Sequence, residues 1–199
     1  DTEATMAAFL NKKQVSEDRR RSLQEALHEA TRLNKALRVG RVPNTVVSVL
    51  NALDGAGLDE HFTVVGTHAL YAYETAAAVR IVQGALATQD VDLLWDARKR
   101  LQFVSTMDKL DRSVLSVLQE AEPSFQRKED QLETAIDAKG FQVDFLRRET
   151  ADGDMHPFRF TRDEGDLWPV PARRAEVFLN TPRFEQVVIS VTGKMALMR

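Results

Sequence analysis

The segment ATQDVDLLWD, residues 87–96, is the most informative part of this sequence. Acidic and apolar side chains alternate from Asp90 to Leu93, and we expect a strand over 90–95. Residues two apart on a strand share a face, so Asp90 and Asp92 lie side by side, about 6.6 Å apart at ~3.3 Å per residue. Two unit charges at that separation repel by roughly 2.5 kcal/mol at an effective dielectric of about 20. The pair therefore predicts a cation site or a fully solvated strand end, and the apolar Leu93 and Leu94 beside it favour the cation site.

A third carboxylate lies in FQVDFL, residues 141–146, a second apolar strand. Asp144 inside such a strand needs a partner, because a buried and isolated charge is costly. If the two strands are neighbours, Asp90, Asp92 and Asp144 converge on one point. Three carboxylates in one place suit a hard divalent ion bound through oxygen.

A glycine turn precedes these strands, where the short strand-like run 62–65 leads into Gly66-Thr67 and then into helix-forming residues. Glycine lets the backbone approach a ligand closely. The start of the following helix offers free N–H groups and a positive dipole end, which favour phosphate. The turn is therefore a candidate phosphate site, and Thr67 adds a hydroxyl donor to it. The next residue, His68, could contact the phosphate or the base, or could cap the helix.

Each of these features also has a purely structural interpretation. An Asp-x-Asp pair occurs by chance in many proteins, and Gly-Thr after a strand is often only a turn. Asp144 has Arg147 and Arg148 nearby as possible salt-bridge partners. The three features together, in this order and on these elements, favour the functional interpretation.

The rest of the chain predicts an α+β fold, in which an N-terminal helical hairpin precedes a mixed β-sheet core with flanking helices. Ser16 is a suitable N-cap for a helix over 16–38, and a second helix is expected over 44–53. Apolar residues at helical spacing give the first helix one stripe, made of Leu23, Leu27, Ala30, Leu33 and Leu37. Further strands are expected over 131–137, 141–146, 184–191 and 194–198. We divide the chain into a helical segment (1–58), a core (59–150) and a β-rich extension (151–199) that is compatible with a longer chain.

Composition narrows the function classes. The 199 residues carry a net charge of −3, which argues against a broad phosphate-binding face. The chain has no cysteine, which excludes disulfides and thiolate metal sites. It has no apolar run long enough for a membrane span and no signal-peptide pattern, so a cytoplasmic location without membrane attachment is expected. A hydrolase is disfavoured because Gly-x-Ser-x-Gly and His-x-x-x-His are both missing from the sequence.

Three segments, VGTHALYAYE (65–74), ATQDVDLLWDAR (87–98) and GFQVDFLRR (140–148), carry a family resemblance. Together they resemble the DNA-polymerase-β-like nucleotidyltransferase superfamily, and in particular a bacterial branch known only as nucleotidyltransferases. The resemblance implies that Asp90 and Asp92 bind both metal ions, that Asp144 completes the site and that Gly66-Thr67 contact the triphosphate. Two departures stand out: Thr67 replaces the usual Gly or Ser, and the stretch between Gly66 and Asp90 is longer than in most members.

The resemblance implies an enzyme that moves a nucleoside monophosphate from a nucleoside triphosphate such as ATP to an acceptor hydroxyl, with two Mg²⁺ ions or Mn²⁺ in their place. A basic side chain is expected near the triphosphate, with Arg80, Arg98 and Lys99 as candidates. The acceptor is open between RNA, a protein and a small molecule, and a homodimer is compatible with the sequence. Two alternatives remain: a catalytically inactive nucleotide-binding or interaction protein of the same fold, and a structural protein whose three acids pair with Arg98, Arg147 or Arg148.

Overall fold

The computed structural model describes residues 2–82, 84, 86, 88–149 and 159–199. Six helices and eight strands are named below in chain order. The helices are α1 (Thr2–Leu37), α2 (Asn44–Gly55), α3 (Leu70–Ala77), α4 (Arg100–Leu110), α5 (Val114–Ala121) and α6 (Ala175–Asn180). The strands are β1 (Phe62–Val65), β2 (Asp90–Trp95), β3 (Gln126–Arg127), β4 (Thr134–Ile136), β5 (Gln142–Arg148), β6 (Val170–Ala172), β7 (Gln186–Ile189) and β8 (Met195–Met198).

A mixed sheet forms the centre of the fold, with strand order β1-β2-β5-β4-β3 and with β6 added beside the end of β5. β1 runs antiparallel to β2, whereas β2 and β5 run parallel. β4 and β5, which overlap the strands expected over 131–137 and 141–146, form a hairpin around Gly140, whose φ of +85° suits a turn glycine. The predicted α+β class and mixed sheet are therefore confirmed.

Alternation along β2 gives the sheet two unlike faces. Val91, Leu93 and Trp95 are buried in the main hydrophobic core, together with Phe62 and Phe145 from the neighbouring strands. Asp90 and Asp92 occupy the opposite face, which is only half-buried. That face is closed at its far end by a second apolar cluster in which Leu94 packs against α6. The carboxylates consequently lie where the apolar covering stops.

The N-terminal helices differ from the expectation. α2 packs into the core through Val46, Val47 and Leu53, as predicted for the pair. α1 begins at Thr2 rather than near Ser16, and it buries no side chain. Its predicted stripe is exposed, with Leu23, Leu27, Leu33 and Leu37 each more than half accessible. α1 contacts the rest of the chain near its C-terminal end, where Asn34 donates to the carbonyl of Gly193. The stripe itself is left uncovered among the described residues, since periodicity shows that a helix has an apolar face and does not show what covers it.

The C-terminal strands β7 and β8 form the expected antiparallel pair, separate from the main sheet. Val188 and Met198 from this pair join the same core cluster as Val46 and Phe145. The three predicted segments thus share one core among the described residues, and the boundary expected at 150–151 falls outside those residues. Among the described helices, none is long and apolar enough to cross a membrane.

Candidate functional site

Sheet register brings the three aspartates together. Asp92 on β2 is the direct register partner of Asp144 on β5, and Asp90 lies on the same face of β2. One carboxylate oxygen from each of Asp90, Asp92 and Asp144 lies within 4.8 Å of the others, and all three residues are half-buried. Such a set of oxygen ligands fits a divalent cation.

Electrostatic strain marks this cluster. Burial, followed by the charges of Asp144 and Asp90, raises the pKa of Asp92 to about 6. Within the part of the chain that the structure describes, no arginine or lysine forms an ion pair with any of the three carboxylates. No protein cation in this part of the chain therefore compensates the repulsion among the three carboxylates, and a bound metal ion would relieve it.

Asp144 has one protein partner that the sequence analysis did not identify. The hydroxyl Oγ1 of Thr134 donates to Oδ1 of Asp144 at 2.5 Å, from the directly paired position on β4. The bond fixes the orientation of the carboxylate in the site. The hairpin supplies the signal that could have found it, because a turn centred on residues 138–140 pairs 134 with 144.

The glycine turn lies directly beside the carboxylate of Asp92. Gly66 has φ +68° and ψ −151°, a conformation that only glycine adopts readily. A Cβ placed on it would lie 2.5 Å from Oδ2 of Asp92, so a side chain at this position collides with the carboxylate. Thr67 opens a short 3-10 turn that continues into α3. The glycine is thus required both by the backbone and by its distance to Asp92.

A cavity of about 720 Å³ begins at this turn and extends along β1, at the edge of the main sheet. It passes between α3, the start of α4 and the loop after α6. Its lining includes Val65, Gly66, Tyr73, Lys99, Phe178 and Phe184. None of the three aspartates lines it, so the cavity adjoins the carboxylate site through Gly66 and is not the carboxylate site itself.

Arg98, one of the expected triphosphate ligands, lines this cavity but is engaged elsewhere. Its guanidinium donates to both oxygens of Asp96, through Nε at 2.7 Å and Nη2 at 3.0 Å. Further hydrogen bonds reach the carbonyl of Leu179 and the side chain of Asn180. Arg98 therefore joins the start of α4 to the end of α6. Lys99 lines the same cavity, is exposed, and forms no ion pair among the described residues.

Two other candidates are not members of the carboxylate cluster, although His68 lies beside the backbone of Asp90. Arg80 is exposed and lines a different cavity of about 320 Å³, together with Arg41 and Glu74. His68 is 1% exposed and packs against Tyr71 and Phe141. Burial lowers the pKa of His68, against an opposing contribution from Asp90, so the imidazole is neutral at pH 7. Its buried position makes it a packing residue behind the turn.

Comparison with curated proteins and with solved structures gives no match. A family model described as nucleotidyltransferase matches residues 44–199, which begins at α2 and includes the turn, the three aspartates and the lining of the large cavity. The match extends over more than three quarters of the chain and leaves out α1. The chain belongs to this nucleotidyltransferase family.

Proposed function

We propose that the chain transfers a nucleoside monophosphate from a nucleoside triphosphate to an acceptor hydroxyl, with Asp90, Asp92 and Asp144 as the metal ligands. The observation that carries this proposal is the convergence of the three carboxylates within 4.8 Å, with no lysine or arginine of the described residues paired to them. The family membership supplies the reaction class, and the carboxylate cluster supplies the residues.

The absence of ion pairs weighs against the structural alternative. Arg98 pairs with Asp96, and Arg147 donates from Nε to the carbonyl of Pro169 at 3.1 Å. The raised pKa of Asp92 is the opposite of what a salt bridge to arginine would produce. The three acids are consequently better suited to an external cation than to a structural pairing.

Two of the acids, Asp92 and Asp144, have distinct settings for this role. Asp92 lies between the other two carboxylates and beside Gly66, so it is suited to contact metal on both the acceptor side and the triphosphate side. Asp144 is held by Thr134, which keeps one of its oxygens oriented. Bound Mg²⁺ would activate the acceptor hydroxyl and neutralise charge on the phosphates during in-line displacement.

The triphosphate is expected at Gly66-Thr67, because Gly66 is exposed, lies next to the carboxylate of Asp92 and precedes a helix, whose start favours phosphate. Lys99 is the better candidate for a cation near the phosphates, because the donors of Arg98 are already occupied. Arg80 remains a prediction from the sequence, on the segment that connects α3 to β2.

The test is calorimetric binding of the four nucleoside triphosphates, with and without Mg²⁺, to the native chain and to Asp92→Asn. We expect Mg²⁺-dependent binding in the native chain and its loss in the variant. Asp108→Asn, an equivalent change at an exposed position on α4, is the matched control and should bind like the native chain.

Failure of every triphosphate to bind a folded native chain, or equal binding by Asp92→Asn, contradicts the proposal. Binding without turnover, seen as intact nucleotide after prolonged incubation with Mg²⁺ and candidate acceptors, would instead favour the inactive nucleotide-binding alternative.

A further inference from the structure

The large cavity has an aromatic lining that the transfer chemistry does not use. Tyr73, Phe178 and Phe184 line it, and they are 53%, 56% and 40% exposed. Exposed aromatic rings inside a cavity of this size are typical of a binding site for a small planar ligand. We infer that this cavity binds the planar base of the nucleoside triphosphate, an inference that rests on the proposed function.

The charges around the cavity argue against a polyanion as its occupant. Arg98 is paired with Asp96, and Arg199 is paired with Asp59 and Glu185. Arg183 donates from Nη1 to the carbonyl of Glu60 at 2.9 Å. Carboxylates thus neutralise Arg98 and Arg199, whereas Lys99, which forms no ion pair among the described residues, is the cation proposed above for the phosphates. A triphosphate chain or a nucleic-acid backbone needs uncompensated cations, whereas an uncharged ring does not.

The position of the cavity relative to the glycine turn indicates that the cavity holds the base of the nucleotide rather than the acceptor. In an in-line displacement the attacking and leaving oxygens lie on opposite sides of the α-phosphate. If pyrophosphate leaves toward Gly66-Thr67, the acceptor approaches from the far side of the carboxylates, near Asp144. The cavity opens from Gly66, on the leaving-group side, so the aromatic group it holds belongs to the nucleotide.

One helix connects the turn with the aromatic lining. Tyr73 lies on α3, seven residues after Gly66 and about 10 Å along the helix axis. Its ring stacks on Phe184 with centroids 5.0 Å apart and an interplanar angle of 9°. This stacked pair offers exposed aromatic surface on which a further ring can stack. The turn leads into α3 and Tyr73 lies on α3, so one helix would carry the phosphates at its start and the base further along.

The experiment compares two ligands by calorimetry in the presence of Mg²⁺: a nucleoside triphosphate and inorganic tripolyphosphate, which lacks a base. Phe184→Ala should weaken nucleotide binding by about 5- to 150-fold, the range measured for loss of one stacked base. It should leave the affinity for tripolyphosphate unchanged. Phe9→Ala is the matched control, because Phe9 is an exposed aromatic residue on α1, outside the cavity.

Tyr73→Phe and Tyr73→Ala give a second test. The phenylalanine variant keeps the ring and should retain affinity for the nucleotide, whereas the alanine variant should lose it. Unchanged nucleotide affinity in both alanine variants overturns the inference, and so does an equal loss for nucleotide and tripolyphosphate.

These outcomes also distinguish the inference from the proposed function. If the native chain binds tripolyphosphate and nucleotide but the cavity variants have no effect, the base lies elsewhere and the metal site stands. If the native chain binds neither ligand, the proposed function fails and the inference fails with it.

Discussion

Asp92 and Asp96 lie four residues apart in the sequence, and the folded protein shifts the pKa values of their carboxyl groups in opposite directions. Asp92 faces two other carboxylates, and its pKa is raised to about 6. Burial alone would raise the pKa of Asp96 as well, but hydrogen bonds and charge from Arg98 hold it below its usual range. Asp96 is the more deeply buried of the two, at 3% exposure. Burial of an acid therefore does not identify a functional site here, whereas the absence of a counter-charge does.

The largest expected effect is on turnover. Asp92→Asn should reduce Mg²⁺-dependent release of pyrophosphate from a nucleoside triphosphate by at least about 100-fold, because the carboxylate cluster loses its central member. Asp96→Asn should retain turnover when assayed at a temperature where it is folded. Comparable loss in both variants would remove the distinction between a metal ligand and a structural acid.

The second largest effect is on the free energy of unfolding, and here the important residue is Asp96 rather than Asp92. Asp96→Asn leaves Arg98 without its charged partner and should lower the free energy of unfolding by about 2–3 kcal/mol, less than for a fully buried pair because Arg98 is half-exposed. Urea denaturation measures this loss, with Asp108→Asn as the control. A stability unchanged within error would mean that the Asp96–Arg98 bridge does not fix α4 to α6.

A smaller effect depends on pH. The pKa of Asp92 is higher in the folded chain than in the unfolded chain, so the folded state holds more protons between pH 4 and 6. Metal-free protein should therefore lose stability as pH rises through that window, and Asp92→Asn should lack this loss. Above pH 6 the variant should be more stable by on the order of 1 kcal/mol, after allowance for solvent screening.

Thermal melts at pH 4 and pH 7.5, in the presence of a chelator, measure this difference between native chain and variant. Added Mg²⁺ should reverse it at pH 7.5 by stabilising only the native chain. A native chain that gains stability from pH 4 to 6 relative to Asp92→Asn would show that Asp92 is already neutralised by a protein group.

The aspartate cluster could be predicted from the sequence because it depends on local rules. Alternation fixes which side chains share a face of β2, and the hairpin at 138–140 places β5 beside β4. The sequence alone leaves the pairing of β2 with β5 as an assumption, and the register Asp92–Asp144 confirms it. The link from Arg98 to the end of α6 was beyond local rules, since Leu179 and Asn180 lie about 80 residues away, although its main partner Asp96 is only two residues distant.

The large cavity could not be predicted either, because its lining residues are far apart in the sequence. Its aromatic lining joins Tyr73 to Phe178 and Phe184, from opposite ends of the family match, and no local pattern connects them. The exposure of α1 was missed for a different reason, because its apolar stripe has the same periodicity as a buried helix.

The exposure of α1 has a consequence for how the chain opens. Residues 2–29 of this helix are exposed throughout, so this part can unwind without disturbing the core, whereas Asn34 near the C-terminal end of the helix donates to the carbonyl of Gly193. The amide hydrogens of residues 2–29 should therefore exchange with solvent through local fraying, on a timescale set by helix–coil equilibrium. Those of β2 and β5 should exchange only when the whole sheet opens. Hydrogen exchange would then divide the chain near residue 30 into two kinetic populations, and truncation of residues 2–29 should leave the slow population unchanged.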